Sequence, residues 1–393
     1  MEKSKVYFTN FRTKGSEDLL KKLQRLIKTA GIGQIDFDGK FTAIKIHFGE
    51  PGNLAYLRPN YAKAVADVVK ELGGVPFLTD CNTLYPGKRK NALEHLEAAY
   101  TNGFSPFSTG CHVIIADGLK GTDEAYVPFP EGEFVKEAKV GHALMDADVL
   151  ISLSHFKLHE AAGIGGAIKN IGMGGGSRAG KMEQHNAGKP EVDQSLCIGC
   201  GICAKSCAQN AIEFFDGNGV RCEKPGKACK ARINCEKCVG CGRCIGACNQ
   251  DATHPVESNS IELLNRKMAE YAAAIVKGRP QFHISLVVDV SPFCDCYALN
   301  DAPVIPDVGM FASFDAVALD QACADAMLKQ PILPNTVMDN IKIVNKDPSM
   351  SLHAGTDWKI QLEQAEKVGM GSRSYELIEI QEKFVLDCER IFY

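Results

Sequence analysis

The chain has 393 residues, 45% of them hydrophobic and 23% charged, with a formal net charge of −4. That length allows one large domain or two to three smaller ones with real cores, and Lys and Arg spread along a near-neutral chain lack the footprint of a nucleic-acid binder. No apolar run reaches about 18 residues, so no membrane span is expected; Met1-Glu-Lys-Ser-Lys leads into a strand-like Val6-Tyr-Phe without a signal-peptide stretch, and the expected location is the cytoplasm.

Taken in order, Lys5 to Thr9 reads as a strand, and Ser16 is expected to cap an amphipathic helix through Leu19, Leu20, Leu23, Leu26 and Ile27. A strand from Phe41 to Phe48 leads into the loop His47-Phe-Gly-Glu50-Pro-Gly. A helix is expected from Pro59 to Leu72, stopped by Gly73-Gly74. Then come a strand from Val75 ending at Asp80, a helix near Lys90 to Tyr100, a strand at His112 to Ala116, a helix at about Val140 to Ala147 and a strand from Val149 to Leu153. Strands alternating with helices predict an α/β fold, a mostly parallel sheet covered by helices.

In such sheets ligands bind beyond the carboxyl ends of the strands, which singles out His47, Glu50, Asp80, Asp117, His155, Lys157 and His159. His155, Lys157 and His159 alternate and so share one face if the strand continues. Two imidazoles and an amine there suit a metal, a phosphate or a carboxylate, with hydrogen-bonded scaffold as the alternative. The glycine-rich stretch from Gly163 to Arg178 either brings backbone N–H groups to an anion, with Lys169 and Arg178 adding charge, or serves as a flexible connector. It has neither the order of a Walker A loop nor a GxGxxG in the usual place after a strand.

Two copies of C-x2-C-x2-C-x3-C follow: Cys197, Cys200, Cys203 and Cys207, then Cys238, Cys241, Cys244 and Cys248. This is the ligand spacing of bacterial two-cluster ferredoxins, in which the fourth Cys of each run serves the other cluster. One 4Fe-4S cluster is therefore expected on Cys197, Cys200, Cys203 and Cys248, and the second on Cys238, Cys241, Cys244 and Cys207. Zinc knuckles close with Cys pairs rather than runs of four. The repeat from Val192 to Ile212 aligns without gaps on Ile233 to Thr253, which predicts two halves related by a pseudo-twofold. Ala208 and Asn249 stand where a Pro commonly follows the fourth Cys, a change to a turn residue and not to a ligand. Cys222, Cys229 and Cys235 are either bystanders or alternative ligands. The expected division is a host domain in two parts, 1–190 and 255–393, with residues 191–254 as a ferredoxin-like insert. Thiols in cluster spacing fit the reducing cytoplasm of an anaerobe or facultative anaerobe.

After Thr253 the sequence predicts a helix from Glu257 to Val276, a strand from His283 to Val290, a helix capped near Asp315 and running to Met327, and a final strand at Tyr375 to Gln381. Cys294-Asp295-Cys296 could chelate a soft metal with help from Asp289, Asp295, His47 or His155, act as a redox pair, or be buried thiols. Asp320 has no assigned role. Cys81, Cys111, Cys323, Cys388 and Trp358 read as packing residues, and His185 and His254 flank the cysteine-rich stretch.

His47-Phe-Gly-Glu50, Ser154-His155-Phe-Lys157-Leu-His159, Gly165 to Gly174, Cys294-Asp-Cys296 and Phe314 to Asp320 together resemble the DUF362 family of iron-sulfur-centre proteins. The resemblance covers most of the chain. It implies a ferredoxin insert in this position and a separate site in the host domain, and it bears on architecture more than on reaction. The resulting expectation is a protein that passes single electrons through two 4Fe-4S clusters to or from that site. It would be an oxidoreductase whose partner is a redox protein or a small-molecule electron acceptor, with a further metal or anionic ligand in the host. The alternatives are a non-enzymatic carrier or maturation partner, and a metal-dependent enzyme with structural clusters.

Overall fold

A computed structural model describes residues 3–13, 17–85, 87–185, 189–238, 240, 242–255 and 261–380. Among these, eight strands form the main sheet: β1 (Ser4–Thr9), β2 (Phe41–Lys45), β3 (Val75–Asp80), β4 (His112–Ile115), β5 (Val149–His155), β6 (Gln281–Val287), β7 (Gly309–Ser313) and β8 (Tyr375–Glu379). Their spatial order is β8-β1-β7-β6-β5-β2-β3-β4. Only β7 runs antiparallel to its neighbours; the other pairings are parallel. The fold is α/β with a mostly parallel sheet, as the alternation of elements predicts.

Successive residues of the central strands supply opposite faces. Ala43 lies beside Phe77 and Leu150, and Ile44 beside Leu78 and Ile151. The first set packs under the helices Ile261–Val276 and Ala316–Met327. The second packs under the helices Leu19–Thr29 and Pro59–Glu71. Burial on both faces explains why these strands read as continuous apolar runs. Helix starts follow local chemistry: Asn91 and Asp315 accept backbone N–H groups at their helix N-termini, and Pro59 occupies a first turn. Ser16 lies outside the described residues, and the first helix is capped by Asp18, which accepts from the Lys21 N–H. No helix among the described residues is long and apolar enough to cross a membrane.

Some elements differ from the sequence reading. The expected helix at Val140 to Ala147 is instead the second strand of a hairpin, Glu124–Pro128 with Glu137–Gly141, followed by a short helix, His142–Asp146. Ala138 and Val140 point inward with a period of two, and that pattern governs. The glycine-rich stretch is no open loop, since it forms the helices Ala167–Gly175 and Arg178–His185. A Cβ on Gly172 would stand 2.1 Å from the Met268 carbonyl, so these glycines let the first of the two press against Ile261–Val276. Packing here overrides glycine's poor helix propensity. Strand β6 ends at Val287 rather than Val290, with Asp289 left-handed at φ 45°. Residues 257–260 of the expected long helix, Gln381 and Cys388 lie outside the described residues.

The chain leaves the host at Pro190–Val192 and returns at Thr253–Pro255, two strands that pair antiparallel. Between them Ile212–Phe215 pairs with Lys230–Ile233. The sequence repeat is also a backbone repeat. Gly201 (φ 78°) precedes the short helix Ile202–Ser206, and Gly242 (φ 65°) precedes Arg243–Ala247. Both helices end on an extended Cys, Cys207 (φ −89°, ψ 104°) and Cys248 (φ −82°, ψ 107°). Left-handed Asn210 (φ 48°) and Asp251 (φ 51°) then follow in register.

Candidate functional site

Cys197, Cys200, Cys203 and Cys248 line one small cavity of about 20 Å³, walled also by Phe214 and Ala231. Burial, and behind it the neighbouring Cys248, Cys197 and Cys200 sulfurs, pushes the Cys203 thiol up to about 11. Backbone N–H groups approach this and the related sulfurs: Ala231 to Cys197 Sγ (3.5 Å), Ala211 to Cys207 Sγ (3.4 Å) and Gly240 to Cys238 Sγ (3.5 Å). Cys241 lies outside the described residues. Among those described, no three His, Cys, Asp or Glu side chains gather as they would around one metal ion. Thiolates on a 4Fe-4S cube each bind a different iron and stand further apart than the ligands of a single ion. Cys222 and Cys229 are joined in a disulfide, so in this form neither is a spare ligand, while Cys235 is exposed.

A second cavity, about 210 Å³, opens at the carboxyl edge of the sheet. His47 follows β2, His155 ends β5, Lys157 and His159 come from the next short strand, and Lys169 from the glycine-bearing helix; all five line this cavity. Cys294 and Cys296, after β6, complete the wall. Other candidates fall away from it. Glu50 sits behind and accepts from Arg89 Nε (2.8 Å). Asp117 accepts from the Asn82 backbone N–H (2.9 Å) and amide (2.8 Å), and burial lifts its carboxyl to about 6. Asp289 turns to Arg58 (3.1 Å). Asp320 caps the glycine-bearing helix by accepting from Ala167 N (2.7 Å) and Ile168 N (2.9 Å), so an internal carboxylate already occupies the backbone N–H groups that the sequence offered to an anion. Trp358 is buried and donates to Asp347 (2.8 Å), a packing role as expected.

The cavity wall is organised by buried ion pairs. Lys45 meets Asp80 at 2.9 Å, and Asn170 accepts from the same ammonium at 2.9 Å. Burial would raise the Asp80 carboxyl, but Lys45 and the His47 and His95 imidazoles hold it below the usual carboxylate range. Asp295 is treated alike: burial opposes its charge, and His155 (2.9 Å) and Lys157 (2.6 Å) hold it ionised. His155 Nε2 also meets the Val288 carbonyl at 2.8 Å, so both its ring nitrogens are engaged and neither is left for a metal. His47 is kept well below the usual imidazole range by burial and then by Arg89, whose Nη1 stands 3.0 Å from Nε2.

Cys294 has the most cationic surroundings of the thiols in this wall. Its sulfur accepts from the Cys296 backbone N–H (3.4 Å) and from Lys169 Nζ (3.6 Å). His159 Nδ1 accepts the N–H groups of Ala161 and Ala162 (both 3.0 Å), which leaves the ring proton on Nε2 to face the thiol. The Cys296 thiol first, then Lys169 and His159, hold the Cys294 thiol well below the usual range in spite of its burial; Cys296 is pushed up in return. Such surroundings favour the thiolate form. Sequence reasoning missed Lys45, Arg89 and Lys181. Lys45 had left a signal, a cation in an otherwise apolar strand, because buried Lys needs a partner; Arg89 and Lys181 had none.

One apolar cluster contains residues from the linings of both cavities, Leu84 from the larger and Cys203 from the smaller, together with Met182, Cys244 and Ile245. Arg178 is fully buried at this seam and donates to the carbonyls of Thr83 (3.2 Å), Lys120 (3.1 Å) and Lys90. A Cβ on Gly242 or Gly246 would come within 2.8 Å of its side chain. Arg178 thus braces the structure rather than meeting an anion. Lys90 Nζ donates across the seam to the Cys248 carbonyl (2.9 Å).

These features define an α/β protein with a cationic, thiol-bearing cavity at the carboxyl ends of its strands and a duplicated cysteine-rich excursion packed beside it. Residues 42–325 match the family described as a domain of unknown function, DUF362, and the chain belongs to that family. It is 27% identical over 163 residues to the thylakoid-associated protein sll1697 of Synechocystis sp., a match covering 39% of this chain and 45% of that protein, so the chain spans less than half of that relative. Among solved structures it is similar to the lactate racemase apoprotein from Thermoanaerobacterium thermosaccharolyticum, at 10% identity and a TM-score of 0.33 over 73% of this chain and 51% of that one. A protein from Thermotoga maritima gives 14% identity and a TM-score of 0.34 over 78% and 57%. Likeness at these scores carries no argument about function.

Proposed function

We propose that this is an iron–sulfur electron-transfer protein in which residues 191–254 hold two 4Fe-4S clusters and the host cavity holds the molecule that is oxidised or reduced. Cys197, Cys200, Cys203 and Cys248 would hold one cluster, and Cys238, Cys241, Cys244 and Cys207 the other. Bound clusters of this kind supply one-electron exchange. The chain's own residues do the rest. Backbone N–H groups at Cys197, Cys207 and Cys238 offset thiolate charge, and Leu84 and Met182 form an apolar cluster with Cys203 beside the first ligand set.

The observation that carries this reading is the meeting of Cys248 with Cys197, Cys200 and Cys203 around one pocket. Cys248 belongs to the second run, and an exchange of the fourth Cys is what the two-cluster pattern requires. A built cavity next to the seam favours an oxidoreductase over a carrier, which has no use for one. Anaerobic purification with iron and acid-labile sulfide analysis tests the reading: about eight of each per chain are expected. Cys248→Ser should remove about half of the iron and Cys294→Ser none. Stoichiometric zinc in place of iron would sink the proposal.

A further inference from the structure

Two ammonium groups lining the larger cavity, those of Lys169 and Lys181, are in no direct ion pair with a carboxylate among the described residues. Lys45, Lys157 and Arg89 are matched by Asp80, Asp295 and Glu50. Glu160 faces His159 at 3.6 Å. Lys181 is different: its Nζ donates to the carbonyls of Gly176 (2.6 Å) and Gly174 (3.4 Å), and among the described residues it is in no ion pair with a carboxylate. Lys169 has a thiol, Cys294, where the others have an acid. Both lysines line the cavity with His185, whose imidazole is held below its usual range by burial and then by Lys169, His159 and Lys181. The remaining wall is apolar, with Leu153, Met173, Leu264 and Met268. At about 210 Å³ the space is smaller than the roughly 300–1,000 Å³ of sites for drug-sized ligands.

We infer that this cavity binds a small organic carboxylate, its charge met by Lys169 and Lys181, its carbon body lying on the apolar wall and its reactive carbon presented to Cys294. A bare inorganic anion would leave the apolar wall unused, and a neutral ligand would leave the Lys181 ammonium with backbone carbonyls as its direct partners and no ion pair in a buried setting. The inference goes beyond the electron-transfer reading and stands without it, because its test reads the cavity whether or not iron is bound.

Iodoacetate and iodoacetamide are a matched pair of probes, the first a small carboxylate and the second its neutral amide. With either one, the Cys294 sulfur forms a C–S bond as the C–I bond breaks and iodide leaves. The thiolate fraction therefore enters both rates alike and cancels in their ratio. Rates at Cys294 are read by peptide mass spectrometry on the anaerobically purified full chain, with free cysteine in the same buffer as reference. The iodoacetate-to-iodoacetamide ratio at Cys294 is expected to exceed that of free cysteine by about tenfold or more, since the field of nearby cations raises local anion concentration by that order. Lys181→Gln and Lys169→Gln should each bring the ratio back toward the reference, and propionate should slow iodoacetate in the wild type. A wild-type ratio at or below that of free cysteine would overturn the inference, as would failure of both reagents to reach Cys294. Since the wild type alone decides, misfolding of a variant leaves the test intact.

Discussion

The molecule holds its thiols in two contrasting surroundings. In the cysteine-rich excursion, Cys197, Cys200, Cys203 and Cys248 face one another and apolar neighbours, and Cys203 is driven toward its neutral form. In the host cavity, Cys294 has an ammonium and an imidazole N–H beside it and is driven toward its anion. On the proposed reading the first arrangement takes its cation from bound iron; the second has Lys169 beside it. One side chain is thus held in two protonation tendencies by what surrounds it, which suits the proposed metal ligation in one place and the proposed thiolate chemistry in the other.

The strongest test of this contrast attacks the seam that joins the regions. Arg178→Ala leaves three backbone carbonyls without their donor and should destabilise the protein by about 3 kcal/mol or more. Trp358, the only tryptophan, reports the host by fluorescence in denaturant, and the absorbance of the proposed clusters would report the excursion; both transitions should move. Cys222→Ser removes a disulfide spanning 7 residues and should cost about 2 kcal/mol, seen in the absorbance and not in the fluorescence. Lys169→Met should slow iodoacetamide at Cys294 about tenfold at neutral pH, as expected when a thiolate loses its cation, with iron content unchanged.

The smallest effect, and the sharpest for the comparison, is pH dependence in iron-free protein. The folded value of Cys203 is raised from 9.0 to about 11, so its contribution to stability is full below 9.0 and lost as pH rises through about 11. Cys294 is depressed, so its contribution is present above 9.0 and lost as pH falls through its lower folded value. Replacing each with Ala should flatten the stability curve on opposite sides of pH 9, measured by urea titration at a series of pH values; curves that flatten on the same side would contradict the comparison.

Much of this was legible in the sequence because it depends on local period and spacing. Alternation of strands and helices carries the sheet, and the carboxyl-end rule led to His47, His155, Lys157 and His159, all of which meet at one cavity. What stayed hidden depends on distant partners. Glycines at 172 and 175 looked like freedom to bend, yet they are small because Met268 and Ile275 press against them. Arg178 looked like added charge for a bound anion, yet its guanidinium donates to three carbonyls from residues 83–120 of the chain. Asp320 had no visible role until the helix start it caps came into place.

The two-stranded ribbon at Pro190–Val192 and Thr253–Pro255 has an evolutionary consequence. Val192 lies opposite Thr253, so everything between them begins and ends at neighbouring points. A short turn could bridge that gap without altering the sheet, leaving Leu84 and Met182 as the apolar surface to be made polar. Gain or loss of the excursion would then be a single graft at one doorway, and an ancestor of this chain could have used its cavity before it acquired any cysteine repeat.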